Sequence, residues 1–199
     1  MATSKKFKPR ATRSVRPAPA AAASARLSRP EPEAPPTAFH APRPAQRRLR
    51  GYAFDPSLAT QLETALVSEI EYRVRWEDLQ AGPVGEYLEV LDFDPASGCW
   101  YAPVDLDAPH LLAADGLAPS EGSPQFHQQM VYAVAMRTIA FFENALGRVA
   151  LWAPHKDSET STFDNSFVRR LRLYPHAIRE QNAYYSPERK AILFGYYRA

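Results

Sequence analysis

Five histidines, one cysteine and 22 carboxylate side chains are the groups from which this 199-residue chain could assemble a reactive centre. The histidines are His40, His110, His127, His155 and His176, and no two stand at the short spacing of a zinc-binding helix. None opens a His-Glu-x-x-His order. His127 falls at the start of a helical pattern and reads as a packed or solvated histidine, not as a ligand. A lone Cys99 excludes both an intrachain disulfide and a Cys-x-x-Cys metal pair. Asp105-x-Asp107 offers hard oxygen donors suited to Ca²⁺, although loop aspartates more commonly close turns. Arg170 and Arg172 share one face of a predicted strand and could hold a carboxylate or phosphate; a solvated face is the plainer reading. Nucleophile motifs around Ser or Cys and phosphate-binding glycine loops are absent from the sequence.

The stretch best suited to hold a ligand lies near the end of the chain. Asn182-Ala183-Tyr184-Tyr185 reads as one short strand and Lys190 to Tyr197 as another. Between them, Ser186-Pro187-Glu188-Arg189 carries proline at the second turn position, where its fixed φ suits a type I turn. An exposed Asn-Ala strand can hold an extended peptide. The backbone supplies ladder hydrogen bonds, the Asn amide adds a donor and an acceptor, and the small Ala permits close approach. Strand alternation puts Tyr184 on the same side as Asn182 and turns Tyr185 to the other. The competing reading is an aromatic hairpin that only packs.

The elements that must position this hairpin follow from composition and periodicity. Residues 1–50 hold twelve Lys/Arg against Glu31 and Glu33, a net +10, and the remainder carries a net −8. Nine prolines and few core-forming residues predict that residues 1–50 are a disordered basic tail. Such a tail serves as a solubilising linker or makes a weak nucleic-acid or acidic-surface contact. The body, residues 51–199, opens at Gly51. Leu58, Leu62, Leu66 and Ile70 predict one helix face, and Tyr72, Val74 and Trp76 then alternate as in a half-buried strand. Glu86 to Phe93 and Cys99 to Val104 read as strands around the turn Asp94-Pro95-Ala96-Ser97-Gly98, with residues 105–122 loop-like.

Ser123-Pro124 starts the strongest helix and Gly147 ends it. One apolar row runs Phe126, Met130, Val134, Phe141, Ala145, and a second runs Val131, Ala135, Ile139, Phe142, Leu146. Two adjacent rows predict a helix largely buried under the sheet. Residues 153–166 read as a surface loop, and Phe167 to Tyr174 as a strand. The fold class expected is α+β: a strand-rich lobe with antiparallel hairpins packed on one long buried helix, preceded by the disordered tail.

Asn182-Ala183-Tyr184-Tyr185, a short turn and a strand ending Phe194-Gly195-Tyr196 resemble the substrate-binding edge strand of thermolysin-like zinc metallopeptidases, the gluzincins. The long helix before Gly147 and Arg148 is similar to the helix that precedes that strand in the family. The resemblance spans roughly Ser123 to Ala199. It implies the N-terminal, substrate-facing lobe of such a peptidase, with Asn182, Ala183 and Tyr184 binding a peptide or protein substrate. In the family, two His and a downstream Glu hold zinc, and the motif's own Glu acts as general base on the zinc-bound water. This chain carries no such motif, so the resemblance implies no catalytic or metal-binding residue here. Zinc is then expected only with a downstream catalytic region, and the chain is expected to be a truncated or non-catalytic form. The alternative is a non-enzymatic peptide-binding or interaction protein whose basic tail contacts nucleic acid or an acidic partner. With no run approaching a membrane span and no apolar signal core, a cytoplasmic location is expected.

Overall fold

The computed structural model describes residues 43–56, 68–152, 154–156, 163–167 and 170–197. Residues 1–42 of the predicted tail, and Leu58, Leu62 and Leu66 of the predicted helix face, lie outside the described residues; Ile70, the fourth residue of that face, is described and is strand, not helix.

Strand β1 (Gln46–Tyr52) pairs antiparallel with β2 (Glu69–Arg75), Gln46 opposite Arg75 and Tyr52 opposite Glu69. This corrects the predicted boundary at residue 50, because residues 46–50 are strand and not tail. Arg47 explains the difference. Counted with the basic tail, it is only 2% exposed. Its guanidinium donates to the Leu106 carbonyl at 2.6 Å and the Glu77 carbonyl at 3.0 Å, pairs with the Asp107 carboxylate, and lies 4.3 Å from the Trp76 ring centroid. Leu49, one strand period on, is in the core. By composition, an arginine whose two terminal nitrogens find partners in the fold looks the same as a solvated one. Asp107 also accepts from the Leu79 N–H at 2.9 Å, and Asp105 accepts from the Asp107 N–H at 3.0 Å. The Asp105-x-Asp107 pair thus organises a turn and anchors Arg47.

β3 (Leu88–Val90) follows, then a hairpin of β4 (Phe93–Asp94) and β5 (Cys99–Trp100). A short helix α1 (Pro109–Ala113) interrupts the stretch expected to be loop. The main helix α2 (Pro124–Leu146) has the predicted ends. Ser123 Oγ accepts from the Phe126 N–H at 3.3 Å, and Gly147 closes the helix in the left-handed region at φ 65°. Residues expected to form only a surface loop include two paired strands, β6 (Pro154–Lys156) and β7 (Phe163–Phe167).

The last three strands are β8 (Leu171–Ile178), β9 (Ala183–Ser186) and β10 (Ala191–Gly195). With β3 they form a sheet in the order β3-β8-β10-β9. β9 and β10 are the predicted antiparallel hairpin, while β8 runs parallel to both its neighbours. The architecture is α+β, with mixed pairing inside its largest sheet. A parallel centre is buried, and Leu88, Val90, Leu171, Leu173 and Leu193 accordingly form core. β8 continues through Pro175 because its odd-numbered residues face β3, as the Leu171 N–H to the Tyr87 carbonyl and the Leu91 N–H to the Leu173 carbonyl show, and β3 ends at Val90, so the ladder asks no donor of residue 175.

The buried face of α2 runs through Phe126, Gln128, Gln129, Tyr132, Ala133, Met136 and Ile139, and shares only Phe126 and Ile139 with the two apolar rows. Gln129 is fully buried because its amide bridges β1 to the loop after α1, donating to the Arg50 carbonyl at 2.8 Å and accepting from the Leu117 N–H at 2.8 Å. Phe141 is 68% exposed, and Phe142 and Leu146 are exposed too. Beside them an apolar cleft of about 590 Å³ opens between α2 and the sheet, lined by Val134, Ile139, Phe142, Trp152, Leu173 and Phe194. Among the described residues, no helix is long and apolar enough to cross a membrane.

Candidate functional site

β9 is an edge strand. The Gly195 N–H donates to the Asn182 carbonyl at 2.7 Å, and Leu193 lies opposite Tyr184. Antiparallel alternation then makes Asn182–Gly195, Tyr184–Leu193 and Ser186–Ala191 the closely bonded pairs. The N–H and C=O groups of Ala183 and Tyr185 consequently point away from β10. Among the described residues β9 has no other strand neighbour, so this edge is open. Asn182, Ala183 and Tyr184 are all exposed, as the sequence reading requires of a binding strand. Tyr184 is 47% exposed and Tyr185 45%, so accessibility does not single out one of the two rings. Gly195 permits the hairpin's close root: a Cβ there would stand 2.0 Å from the Glu180 carbonyl oxygen and 2.7 Å from that of Asn182. The predicted turn carries a 3.3 Å hydrogen bond from the Arg189 N–H to Ser186 Oγ.

The arginine pair does not form an anion site. Arg170 donates to the Gly85 carbonyl at 2.5 Å, and Arg172 pairs with Glu89 at 3.2 Å on the surface.

Sequence spacing missed a second site, which gathers residues far apart in the chain. Asp92, between β3 and β4, lies 2.6 Å from His176 Nδ1 through its Oδ1. His176 Nε2 is 2.8 Å from His127 Nδ1. Gln128 donates to the other Asp92 oxygen at 2.9 Å and to the Ala102 carbonyl at 3.1 Å, and accepts from the Val104 N–H at 2.8 Å. Asp92, His176 and Gln128 are buried; His127 is half-buried. His127, expected to be merely packed or solvated, is therefore the outer member of an Asp–His–His chain. Burial, and then the neighbouring His176, push its pKa below the ordinary imidazole value. Both rings line a cavity of about 420 Å³, together with Tyr52, Phe126, Gly195 and Tyr196. Local spacing could not have flagged this chain, because its members are separated by 49 and 84 residues. The polar His176 close after Leu171 and Leu173 was the one available hint.

Next to the cavity, Asp94 accepts from Tyr196 Oη at 2.7 Å, from Ser97 Oγ at 2.5 Å and from the Ala96 N–H at 2.8 Å. Burial raises its pKa, but these donors outweigh burial and hold the carboxyl at about 2. Arg179 Nε lies 2.8 Å from the same Tyr196 oxygen.

No three His, Cys, Asp or Glu among the described residues stand together as a ligand set. Asp92, His176 and His127 spend their facing atoms on internal hydrogen bonds. Comparison with known proteins finds no family model, no curated protein and no solved structure that matches this chain.

Proposed function

We propose that this chain is the N-terminal, substrate-facing part of a thermolysin-like zinc metallopeptidase and that it holds an extended peptide along β9. The observation that carries the reading is the open edge itself. Ala183 and Tyr185 present unpaired backbone groups outward, with Asn182 exposed at the strand's start. The motif Asn182-Ala183-Tyr184-Tyr185 supports the family assignment. With no zinc ligand set among the described residues, hydrolysis is not assigned to them, and peptide capture is the activity expected of this chain alone. The cytoplasm is the compartment we propose, on the single cysteine, which leaves no disulfide pairing within the chain.

A non-enzymatic peptide-binding protein would use the same edge. It is favoured by His127 and His176 being locked to one another and to Asp92 instead of standing free for a metal.

The test is fluorescence anisotropy of labelled synthetic hexapeptides with the full chain. Ala183→Pro removes an outward N–H without taking a donor from the β9–β10 ladder, so the fold should survive. Peptide affinity should fall about tenfold, the equivalent of about 1.4 kcal/mol. Unchanged affinity in Ala183→Pro and in Asn182→Ala, both folded as the parent, would leave β9 a structural hairpin only.

A further inference from the structure

We infer that Asp92, His176 and His127 form a proton-operated latch, which fastens the first turn of α2 to the central strand β8 and opens when both rings are protonated. The hydrogen-bond geometry sets the capacity of the chain. One proton lies between Asp92 Oδ1 and His176 Nδ1, at 2.6 Å, and one between His176 Nε2 and His127 Nδ1, at 2.8 Å. A further proton on His127 Nε2 leaves both bonds intact. The two rings then share one positive charge, matched by the Asp92 carboxylate. One more proton places an N–H on each of the facing nitrogens. The bond between the rings cannot survive, and two cations then meet at ring-centroid contact, 5.0 Å apart.

Around that second charge stand the Ser120 and Glu121 carbonyls, which favour a charged His127 but are outweighed by burial and by His176. From α2 itself Gln128 is neutral and already committed to Asp92 and Ala102. From β1 comes Tyr52, and after β5 comes Tyr101, whose ring lies 5.0 Å from His176. Tyr196, after β10, sits 5.4 Å from His176 but its hydroxyl serves Asp94, with Arg179 behind it. Glu121, before α2, is the one further carboxylate on the cavity wall, and it is exposed. His127 also stands in the first turn of α2, where the helix dipole disfavours a cation. Its depressed pKa has the same sense.

The first added proton leaves both bonds intact and the second breaks the one between the rings, so the latch is closed at neutral pH and opens at the acid step that brings the second proton. Release frees two walls of the 420 Å³ cavity, and through Gly195 and Tyr196 it reaches the root of β9. The latch operates whether or not a peptide is bound.

Two measurements on the full chain test it. The first is hydrogen exchange at the amides of residues 126–130 and 195–196 between pH 7.5 and 5, in the parent and in His127→Gln, which hydrogen-bonds but does not titrate. Exchange in the parent should accelerate at acid pH beyond its chemical rate, and His127→Gln should lose most of that acceleration. The second keeps the inference testable if the variant does not fold: NMR titration of the ring carbons of the parent. His127 and His176 should shift together, with a last step coinciding with the accelerated exchange. Equal acceleration in His127→Gln, or ring titrations that are independent of one another, would overturn the latch.

Discussion

The Gly195 N–H and the Asn182 carbonyl, 2.7 Å apart, form the bond on which the open strand is rooted. Everything outward-facing on β9 depends on this pair. It sets the alternation that turns Ala183 and Tyr185 to the free edge, and it requires a residue without Cβ at 195. Gly195→Ala should cost about 1–3 kcal/mol, the usual range for forcing atoms into a packed site. Urea unfolding reads that loss; an unchanged midpoint would show that the backbone accommodates the methyl.

A chain starting at Gly51 should be much less stable than one starting at Arg43. The shorter chain lacks most of β1, including Leu49 and the buried guanidinium of Arg47. The single substitution Arg47→Met should itself cost about 3 kcal/mol, because the Leu106 and Glu77 carbonyls and Asp107 lose their donor together. Thermal unfolding of the three chains checks both statements, and equal midpoints would return residues 46–50 to the tail.

Acid should expose the role of Tyr196. The Asp94 carboxyl is held at about 2 when folded, below its ordinary value of 3.8, so its stabilisation is present above pH 4 and fades as pH falls toward 2. Tyr196→Phe should cost about 1–3 kcal/mol at neutral pH, as expected for a bond to a charged group, and should flatten the acid limb. Denaturant midpoints at pH 7, 4 and 2.5 measure both.

Tyr132→Phe should destabilise without changing the backbone. The hydroxyl donates to Glu77 Oε1 at 2.5 Å, and burial first, with Glu77 second, drives its ionisation far upward, so the phenol is a fixed donor. Removing it leaves one oxygen of Glu77 short of a partner at about 1–3 kcal/mol. Absorbance titration should show a tyrosine that ionises only on unfolding in the parent and is missing from Tyr132→Phe.

The apolar cleft beside α2 should bind an environment-sensitive naphthalene sulfonate dye in the native state. Val134, Phe142 and Trp152 line it, and Phe141, Leu146 and Leu151 are exposed nearby. Phe142→Glu should remove most of the fluorescence enhancement while leaving the unfolding midpoint nearly unchanged, since Phe142 is 54% exposed already.

Local chemistry in the sequence was enough to place α2 and the β9–β10 hairpin. Ser123-Pro124 and Gly147 mark helix ends through caps that act within a few residues, and Ser186-Pro187 marks a turn in the same way. The exposed Asn182-Ala183-Tyr184 strand was legible for that reason. Only the tertiary structure decided that β8 lies parallel between β3 and β10, since pairing order is a long-range choice that alternation does not encode. It also decided which charges are solvated. Arg47 has the composition of a tail residue and becomes a core residue because Leu106, Glu77 and Asp107, 30 to 60 positions away, surround it. The same holds for the Asp92–His176–His127 chain. Each member is unremarkable where it stands in the sequence, and their hydrogen bonds exist only because α2 crosses the sheet at that point.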